Sequence, residues 1–387
     1  MEGEWQALSL GDVIQLEYGK PLDQADRSPT GLYPAYGANG EKDRTDKFYR
    51  EEPSIIVGRK GSAGEITLTE DRFWPLDVTY YVEFDRGRHD LQFLYYLLVT
   101  LDLPRLAKGV KPGINRKEVY ALPVNVPPLP EQRRIVAILD EAFEAIATAK
   151  ANTEKNLQNA CGLLSRCLSA VFDVPDKAWA TQALGDAVRF IDYRGKTPPK
   201  RELGVRLITA KNVKMGFVKR DPEEFIDPSV YDSWMTRGFP KRGDVLFTTE
   251  APLGNVAQLD TDEKVVIGQR LITMQPLNSS LDRTFLKYAL MSPPIQDSIH
   301  AKGTGATVLG IKASLLKTVP IWYPRSIAEQ KRIADVISAI EAETDVLSGL
   351  AAQKLAALDE LKKSLLHQAF TGALTAKSTD QQLEAVA

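Results

Sequence analysis

Leu129-Pro-Glu-Gln-Arg-Arg-Ile135 and Ile327-Ala-Glu-Gln-Lys-Arg-Ile333 are near copies, 198 residues apart in a chain of 387. Each follows a proline-punctuated stretch of strand character and opens a long run without proline. A unit repeated at that spacing means a chain built as two halves, each a globular domain followed by a helix. After the first copy, apolar or small residues recur at Ile135, Leu139, Ala142, Ile146, Ala149, Thr153, Leu157, Ala160, Leu164, Cys167 and Val171. Steps of three and four in alternation make a coiled-coil seam, with one slip of register near Thr153. After the second copy, Ile333, Ile337, Ile340, Thr344, Leu347, Ala351, Leu358, Leu361 and Leu365 follow the same rule, with Lys354 intruding. Each helix is expected to run about 40 residues, roughly 60 Å at 1.5 Å per residue. Either helix alone would expose an apolar stripe. Packed on each other both stripes are buried, and the domain between them gives the chain room to return antiparallel.

The regions between the helices are mixed in character. Short β-branched or aromatic runs at Ser54–Val57, Val78–Phe84, Asp244–Thr249, Val265–Ile267 and Leu271–Met274 alternate with Gly, Pro and Asn turns. Each region also has one apolar helix, Phe93–Leu98 in the first and Phe285–Leu290 in the second. The two align loosely: Leu10-Gly-Asp12 with Leu184-Gly-Asp186, Phe93-Leu94 with Phe285-Leu286, and Gly113-Ile114 with Gly310-Ile311. The expected fold class is therefore α+β. Two mixed α/β domains, 1–128 and 174–325, are separated by two long helices, 129–173 and 326–372, forming an antiparallel coiled coil with a pseudo-twofold internal repeat. A flexible tail is expected over 373–387.

Composition narrows the function. Hydrophobic content of 43% and charged content of 26% suit a soluble globular protein, and no apolar run is long enough to span a bilayer. The N-terminus lacks the basic and apolar regions of a signal peptide, and only Cys161 and Cys167 occur, without CxxC spacing. The expected location is the reduced cytoplasm, with neither a disulfide framework nor a thiolate metal site. The net charge of −2 hides an asymmetry: residues 1–128 carry 16 basic and 20 acidic side chains, residues 177–325 carry 22 and 15. Between Tyr193 and Arg220 nine Lys or Arg face a single acidic residue, Glu202. Such a local excess can neutralise phosphates, although a solvated face has the same composition.

Catalytic signatures are missing from the sequence. No phosphate loop of the form G-x-x-x-x-G-K-[ST] occurs, nor G-x-S-x-G, H-E-x-x-H or a complete dinucleotide fingerprint. The Pro-Pro pairs at 127–128, 198–199 and 293–294 lack the [NDS]-P-P-[YF] context of amino-methyltransferases. The chain is therefore expected to be non-catalytic and to carry no cofactor or metal. Gly58-Arg-Lys-Gly-Ser-Ala-Gly64 has the form of a tight turn decorated with Arg59, Lys60 and Ser62, side chains suited to a phosphate backbone. Lys111 and Asn115-Arg116-Lys117 flank the first Gly-Ile corner, and Thr304 and Lys312 flank the second. Asn, Arg and Lys either bond base edges or neutralise phosphate.

With these pieces in order, the chain resembles the specificity subunits of type I restriction–modification enzymes over nearly its whole length. The first domain carries Tyr33-Pro-Ala-Tyr-Gly-Ala-Asn-Gly40, Ile56-Val-Gly-Arg-Lys-Gly-Ser-Ala-Gly64 and Phe73-Trp-Pro-Leu-Asp-Val-Thr-Tyr-Tyr81. That trio is similar to one common type of target-recognition domain. The second domain is of another type, with Asp192-Tyr-Arg-Gly-Lys-Thr-Pro198 and Ala210-Lys-Asn-Val-Lys-Met-Gly216. The resemblance implies a non-enzymatic subunit in which each target-recognition domain reads one half of a split asymmetric site on double-stranded DNA. The helices would fix the unread gap. It also implies partners: methyltransferase subunits, two in number, that bind S-adenosylmethionine and modify adenine, and a restriction and translocase subunit that uses ATP and Mg. The expected DNA-contacting side chains are Tyr36, Asn39, Arg59, Lys60, Ser62, Lys111, Asn115, Arg116 and Lys117 in the first domain. In the second they are Tyr193, Arg194, Lys196, Thr197, Lys211, Asn212, Thr304 and Lys312. Two readings from other classes compete: a coiled-coil scaffold with two protein-binding heads, and a bifunctional enzyme with its own catalytic site. The basic 193–220 segment counts against the first, the missing methyltransferase motif against the second.

Overall fold

The computed structural model describes residues 5–69, 72–173, 178–193, 198–305 and 307–375. The chain forms two compact units, Met1–Thr153 with Gln353–Ala387, and Glu154–Ala352. Both boundaries fall inside the long helices, so each unit combines one mixed domain with half of each helix. Of the tail expected over 373–387, residues 373–375 are described, with Leu374 packed against the core of the first unit; the rest lies outside the described residues.

In the first unit, β1 (Gln6–Ser9) runs through the one-turn helix α1 (Leu10–Val13) into β2 (Gln15–Tyr18). There follow β3 (Tyr33–Gly37), β4 (Gly40–Thr45), β5 (Ile55–Gly58), β6 (Ile66–Leu68), β7 (Trp74–Pro75) and β8 (Thr79–Glu83). They make an antiparallel sheet in the order β2-β8-β5-β6 and a smaller one, β4-β3-β7. The all-buried run Ile55-Ile-Val-Gly58 is the kind of β-branched segment that settles in a sheet covered on both faces. Helix α2 (Leu91–Thr100) starts where the Asp90 carboxylate accepts from the Phe93 N–H, and it buries Phe93, Leu94, Leu97 and Leu98 along one stripe. The chain continues through α3 (Arg116–Tyr120) to β9 (Pro123–Val126), which pairs antiparallel with β1, and into α4 (Leu129–Phe172).

The second unit repeats the order. β10 (Ala180–Ala183), α5 (Leu184–Ala187) and β11 (Val188–Asp192) open it. A second sheet uses β12 (Lys200–Arg201), β13 (Val205–Ile208) and β14 (Phe225–Ile226), followed by the short helix α6 (Tyr231–Trp234). Then come β15 (Val245–Thr249), β16 (Leu253–Gln258), β17 (Val265–Ile267) and β18 (Leu271–Pro276). The main sheet runs β11-β18-β15-β16, the counterpart of β2-β8-β5-β6; the second runs β12-β14-β13-β17, with β13 parallel to β17 as β3 is to β7. Helices α7 (Arg283–Met291), α8 (Pro293–Ala301) and α9 (Ala313–Lys317) lead to β19 (Pro320–Tyr323), antiparallel to β10, and to α10 (Ile327–Phe370). Helix α8 went unanticipated because Pro293-Pro294 breaks a run in sequence but fits a helix's first turn, where no N–H partner is lost.

Both long helices have 44 residues. In the first unit Ile135 and Leu139 of α4 share a core with Ala369 of α10, and Lys150 of α4 is ion-paired with Asp359. In the second, Leu168 and Phe172 from late α4 share a core with Ile333, Ala334 and Ile337 from early α10. The start of each helix meets the end of the other, so the pair is antiparallel, and each fully buried Ile, Leu or Phe contributes about 1.5–3 kcal/mol. The seam departs from expectation at Leu347 and Leu361, which are 50% and 46% exposed. The buried row passes instead from Thr344 by way of half-buried Ser348 to Ala351, leaving Leu347 on the flank.

The duplicated Glu-Gln pair has a structural cause. Gln132 is buried; its carboxamide oxygen accepts from the Asp90 N–H at 2.9 Å, and its Nε2 donates to Pro127 O at 2.8 Å and Arg88 O at 3.1 Å. Gln330 does the same with the Asp282 N–H at 2.8 Å, Pro324 O at 2.6 Å and Ser280 O at 2.8 Å. Each glutamine thus ties the N-terminus of the domain's apolar helix to the first turn of a long helix. Three bonds at a buried site ask for one donor group and one acceptor on a side chain of that length.

Candidate nucleic-acid interface

In the first unit three segments meet at one corner. The β5–β6 turn is closed by Gly64, whose N–H bonds Gly58 O at 2.8 Å. Gly64 has φ +89°, and a Cβ there would come within 2.4 Å of the Pro104 nitrogen, so only glycine fits. A Cβ at Gly58 would meet Ala38 O at 2.5 Å, which brings the β3–β4 hairpin tip against the same turn. The loop before α3 closes the corner: Ile114 N–H donates to Arg59 O at 3.2 Å, Gly61 N–H to Pro112 O at 2.9 Å, and Lys108 pairs with Gly113 in both directions.

This geometry gathers most of the expected residues. Asn39, Lys60, Lys111, Asn115 and Lys117 are exposed around the corner, with Ser62 half-buried beside them. Asn115 caps α3 by accepting from the Lys117 N–H at 2.9 Å. Arg59 and Arg116 flank the Tyr18 ring, each 5.3 Å from its centroid, and donate to Asp77 O at 2.5 Å and Leu16 O at 3.2 Å. Burial and the Tyr18 hydroxyl push the neighbouring Tyr80 phenol up to about 12. Tyr36 sits half-buried on β3, edge-on to Phe73 at 6.0 Å. Among the described residues Lys60, Lys111 and Lys117 make no ion pair, whereas carboxylates elsewhere in the unit do: Asp43 with Arg27, Asp26 with Lys47, Glu52 with Arg86. At the corner itself Lys108 pairs with Glu118, and Lys60, Lys111 and Lys117 are the lysines left without a carboxylate partner among the described residues.

The second unit has the same corner in backbone terms. Ile311 N–H donates to Thr249 O at 2.9 Å, and Thr304 and Gly310 exchange both bonds, as Lys108 and Gly113 do. Glu250 bridges to Gly310 where Lys60 bridges to Gly113. A cleft of about 450 Å³ opens here, lined by Glu250, Gln269, Arg270, Thr304, Val308 and Lys312, among others. Thr304 and Lys312, both expected, are exposed on it. Gln269, Arg270 and Glu250 were missed, because nothing in the local sequence marks a turn between two strands as lining a cleft.

Other expectations need correction. Tyr193 is buried, its hydroxyl accepting from the Arg237 and Gly238 N–H groups at 2.6 and 2.9 Å. Asn212 is fully buried: its oxygen accepts from Thr209 N and Oγ1, and its Nδ2 donates to the carbonyls of Lys219, Arg220 and Pro222. With every bonding position filled, Asn212 organises a loop. Lys211 beside it is exposed. Arg194, Lys196 and Thr197 lie outside the described residues. The basic segment is also partly neutralised, with Lys200 paired to Glu224 and Lys219 to Asp221. Among the described residues no cluster of His, Cys, Asp and Glu could hold a metal ion, and no helix is long and apolar enough to cross a membrane.

Comparison with known proteins adds an independent line. The profile of the family described as the type I restriction modification DNA specificity domain matches residues 2–159 and 235–353. The chain is 22% identical over 406 residues to the type I restriction enzyme MjaVIII specificity subunit of Methanocaldococcus jannaschii, covering 97% of this chain and 94% of that one. A solved structure described as the structural basis underlying complex assembly and conformational transition of the type I R-M system superposes with TM-score 0.72 at 21% identity, covering 96% and 98%. The HsdS subunit of Thermoanaerobacter tengcongensis does so with TM-score 0.57 at 20% identity, covering 96% and 97%. The last two are likenesses of fold.

Proposed function

The chain belongs to the type I restriction modification DNA specificity family, and on that premise we propose that each of its two domains reads one half of a bipartite asymmetric DNA site. It is a non-catalytic DNA-recognition subunit of a type I restriction–modification system. The observation that carries the two-half reading is the duplicated corner, with the same backbone bonds around Gly113-Ile114 and Gly310-Ile311 but different side chains. A common frame with divergent surfaces is what two different half-sequences require. The recognition domains span 1–128 and 174–325, and the paired helices set the number of base pairs left unread between the halves. Lys60, Lys111 and Lys117 in the first domain, and Lys211 and Lys312 in the second, take phosphates. Asn39, Asn115 and Thr304, exposed at the same corners, are the side chains offered to base edges.

The chemistry falls to partners: methyltransferase subunits carrying S-adenosylmethionine, and a restriction subunit carrying ATP and Mg, in the cytoplasm. The exposed apolar residues Val346, Leu347 and Leu350 on α10 support a docking face for a methyltransferase subunit. Mapping methylated adenines in the genome of cells making this chain with its methyltransferase subunit tests the proposal. Methylation confined to one split motif with a fixed gap is the expected result. Methylation without any motif, from a confirmed complex, would overturn it.

A further inference from the structure

Resting on the half-site reading just given, we infer that Arg270 and Glu250 together form the element of the second domain that reads a G·C base pair. Arg270 lies in the tight connection between β17 and β18 with φ +66°, a left-handed backbone that side chains other than glycine rarely adopt. The conformation is imposed from both sides. Arg270 O accepts from the Thr249 N–H at 2.9 Å, and Gly268 N–H donates to Ile208 O at 2.7 Å. Glycine would sit there without strain, yet an arginine occupies the place with its side chain 52% exposed. Strain of this kind is retained where the side chain has a task.

The task follows from what the side chain faces. Arg270 Nε is 2.9 Å from Glu250 Oε1, and both line the cleft beside Thr304 and Lys312. An ion pair this exposed stabilises a fold little. It does hold a guanidinium fork next to a carboxylate, in a setting where both are open to exchange partners. A G·C pair presents guanine O6 and N7 as acceptors and the cytosine N4 amino group as a donor, side by side in the major groove. The arginine fork matches the first two and the glutamate accepts from the third. In the first domain the equivalent backbone positions are Lys60 and Val78, the latter accepting from the Arg59 N–H at 2.9 Å as Arg270 does from Thr249. That corner has no such paired fork and acceptor, so the element is particular to one half-site.

The test uses the full chain assembled with its methyltransferase subunit, comparing wild type, Arg270→Gly and Glu250→Gln. Arg270→Gly relieves the left-handed residue, so folding is not what it challenges; thermal unfolding of the complex verifies this. Competition binding uses duplexes carrying the mapped site with one base pair changed at a time. Loss of discrimination at a single G·C position by roughly 10-fold or more in Arg270→Gly is expected. Glu250→Gln should weaken preference at that same position or its neighbour, and the other half-site and gap should be unchanged. Unaltered discrimination at every position in Arg270→Gly, or uniform weakening across all duplexes, overturns the assignment. If the wild-type complex itself shows no bipartite motif, the half-site reading fails first.

Discussion

At one backbone corner the first unit places Lys60 beside Val78, and the second places Glu250 beside Arg270. The frame is shared almost bond for bond, and its exposed side chains differ: Lys60 stands against Glu250, and Asn115 against Lys312. Main-chain bonds between the β-hairpin turn and the Gly-Ile loop fix the corner without specifying which side chains project from it. At the starts of the long helices the principle is the same, since Gln132 and Gln330 bond only to backbone. A duplicated gene segment can then change what it binds without changing how it folds.

The largest expected contrast between the units lies where each domain grips a long helix. In the second, Glu341 of α10 accepts from buried Lys287 and from the Tyr288 hydroxyl, both at 2.7 Å. In the first, Tyr96 donates to Asp140 at 2.5 Å, and the position equivalent to Lys287 is Tyr95. Burial pushes the Tyr96 phenol up to about 12, and Tyr288 shifts in the same direction for the same first cause, so both stay protonated donors at neutral pH. Glu341→Ala strands a buried ammonium and should cost about 3–5 kcal/mol. Asp140→Ala leaves only a neutral hydroxyl short of one partner and should cost less, about 1–2 kcal/mol. Urea unfolding of the two variants measures the gap, and equal losses would mean that the grips are equivalent after all.

Next come the glutamines, where the comparison predicts sameness. Gln132→Ala and Gln330→Ala should each lower stability by about 2–3 kcal/mol, because three backbone groups lose their partner. Thermal unfolding that showed one loss several times the other would break the equivalence of the two helix starts. Asn212→Ala is the contrasting case, as its loop joins β13 to β14 where the first unit has only the tight turn between β3 and β4. A loss of about 2 kcal/mol with the methylation motif unchanged is expected. An altered motif at wild-type stability would return Asn212 to the DNA-reading set.

Much of this fold is legible in the sequence. The Glu-Gln repeat gave both helix starts, the three-and-four spacing gave their pairing, and the β-branched runs gave the main-sheet strands β5, β8, β15 and β18. The Gly-Ile corners aligned correctly because a glycine followed by a buried isoleucine is a local requirement of that turn. Side-chain roles were harder. Asn212 and Tyr193 have the polarity of contact residues, and only the packing around them shows their polar atoms already bonded. Arg270 was invisible for the opposite reason: a left-handed arginine leaves no trace in sequence, and its partner Glu250 is adjacent only across strands.

The smallest effect is also the cleanest probe of the paired corners. Lys60 and Lys312 are exposed cations, one at each corner, and neither makes an ion pair among the described residues. If each neutralises one phosphate, replacing either with alanine should flatten the dependence of log K on log salt by about 0.9. Stability should stay within about 0.5 kcal/mol of wild type, as for surface changes generally. The motif should also be unchanged, because phosphate contacts carry no base information. Binding of the assembled complex to its own site across a salt series measures both slopes. Equal shifts would establish that the corners approach the duplex in the same manner and differ only in what they read. A shift for Lys60→Ala alone would mean that the second corner, with Glu250 in place of a cation, is held to DNA mainly by base contacts.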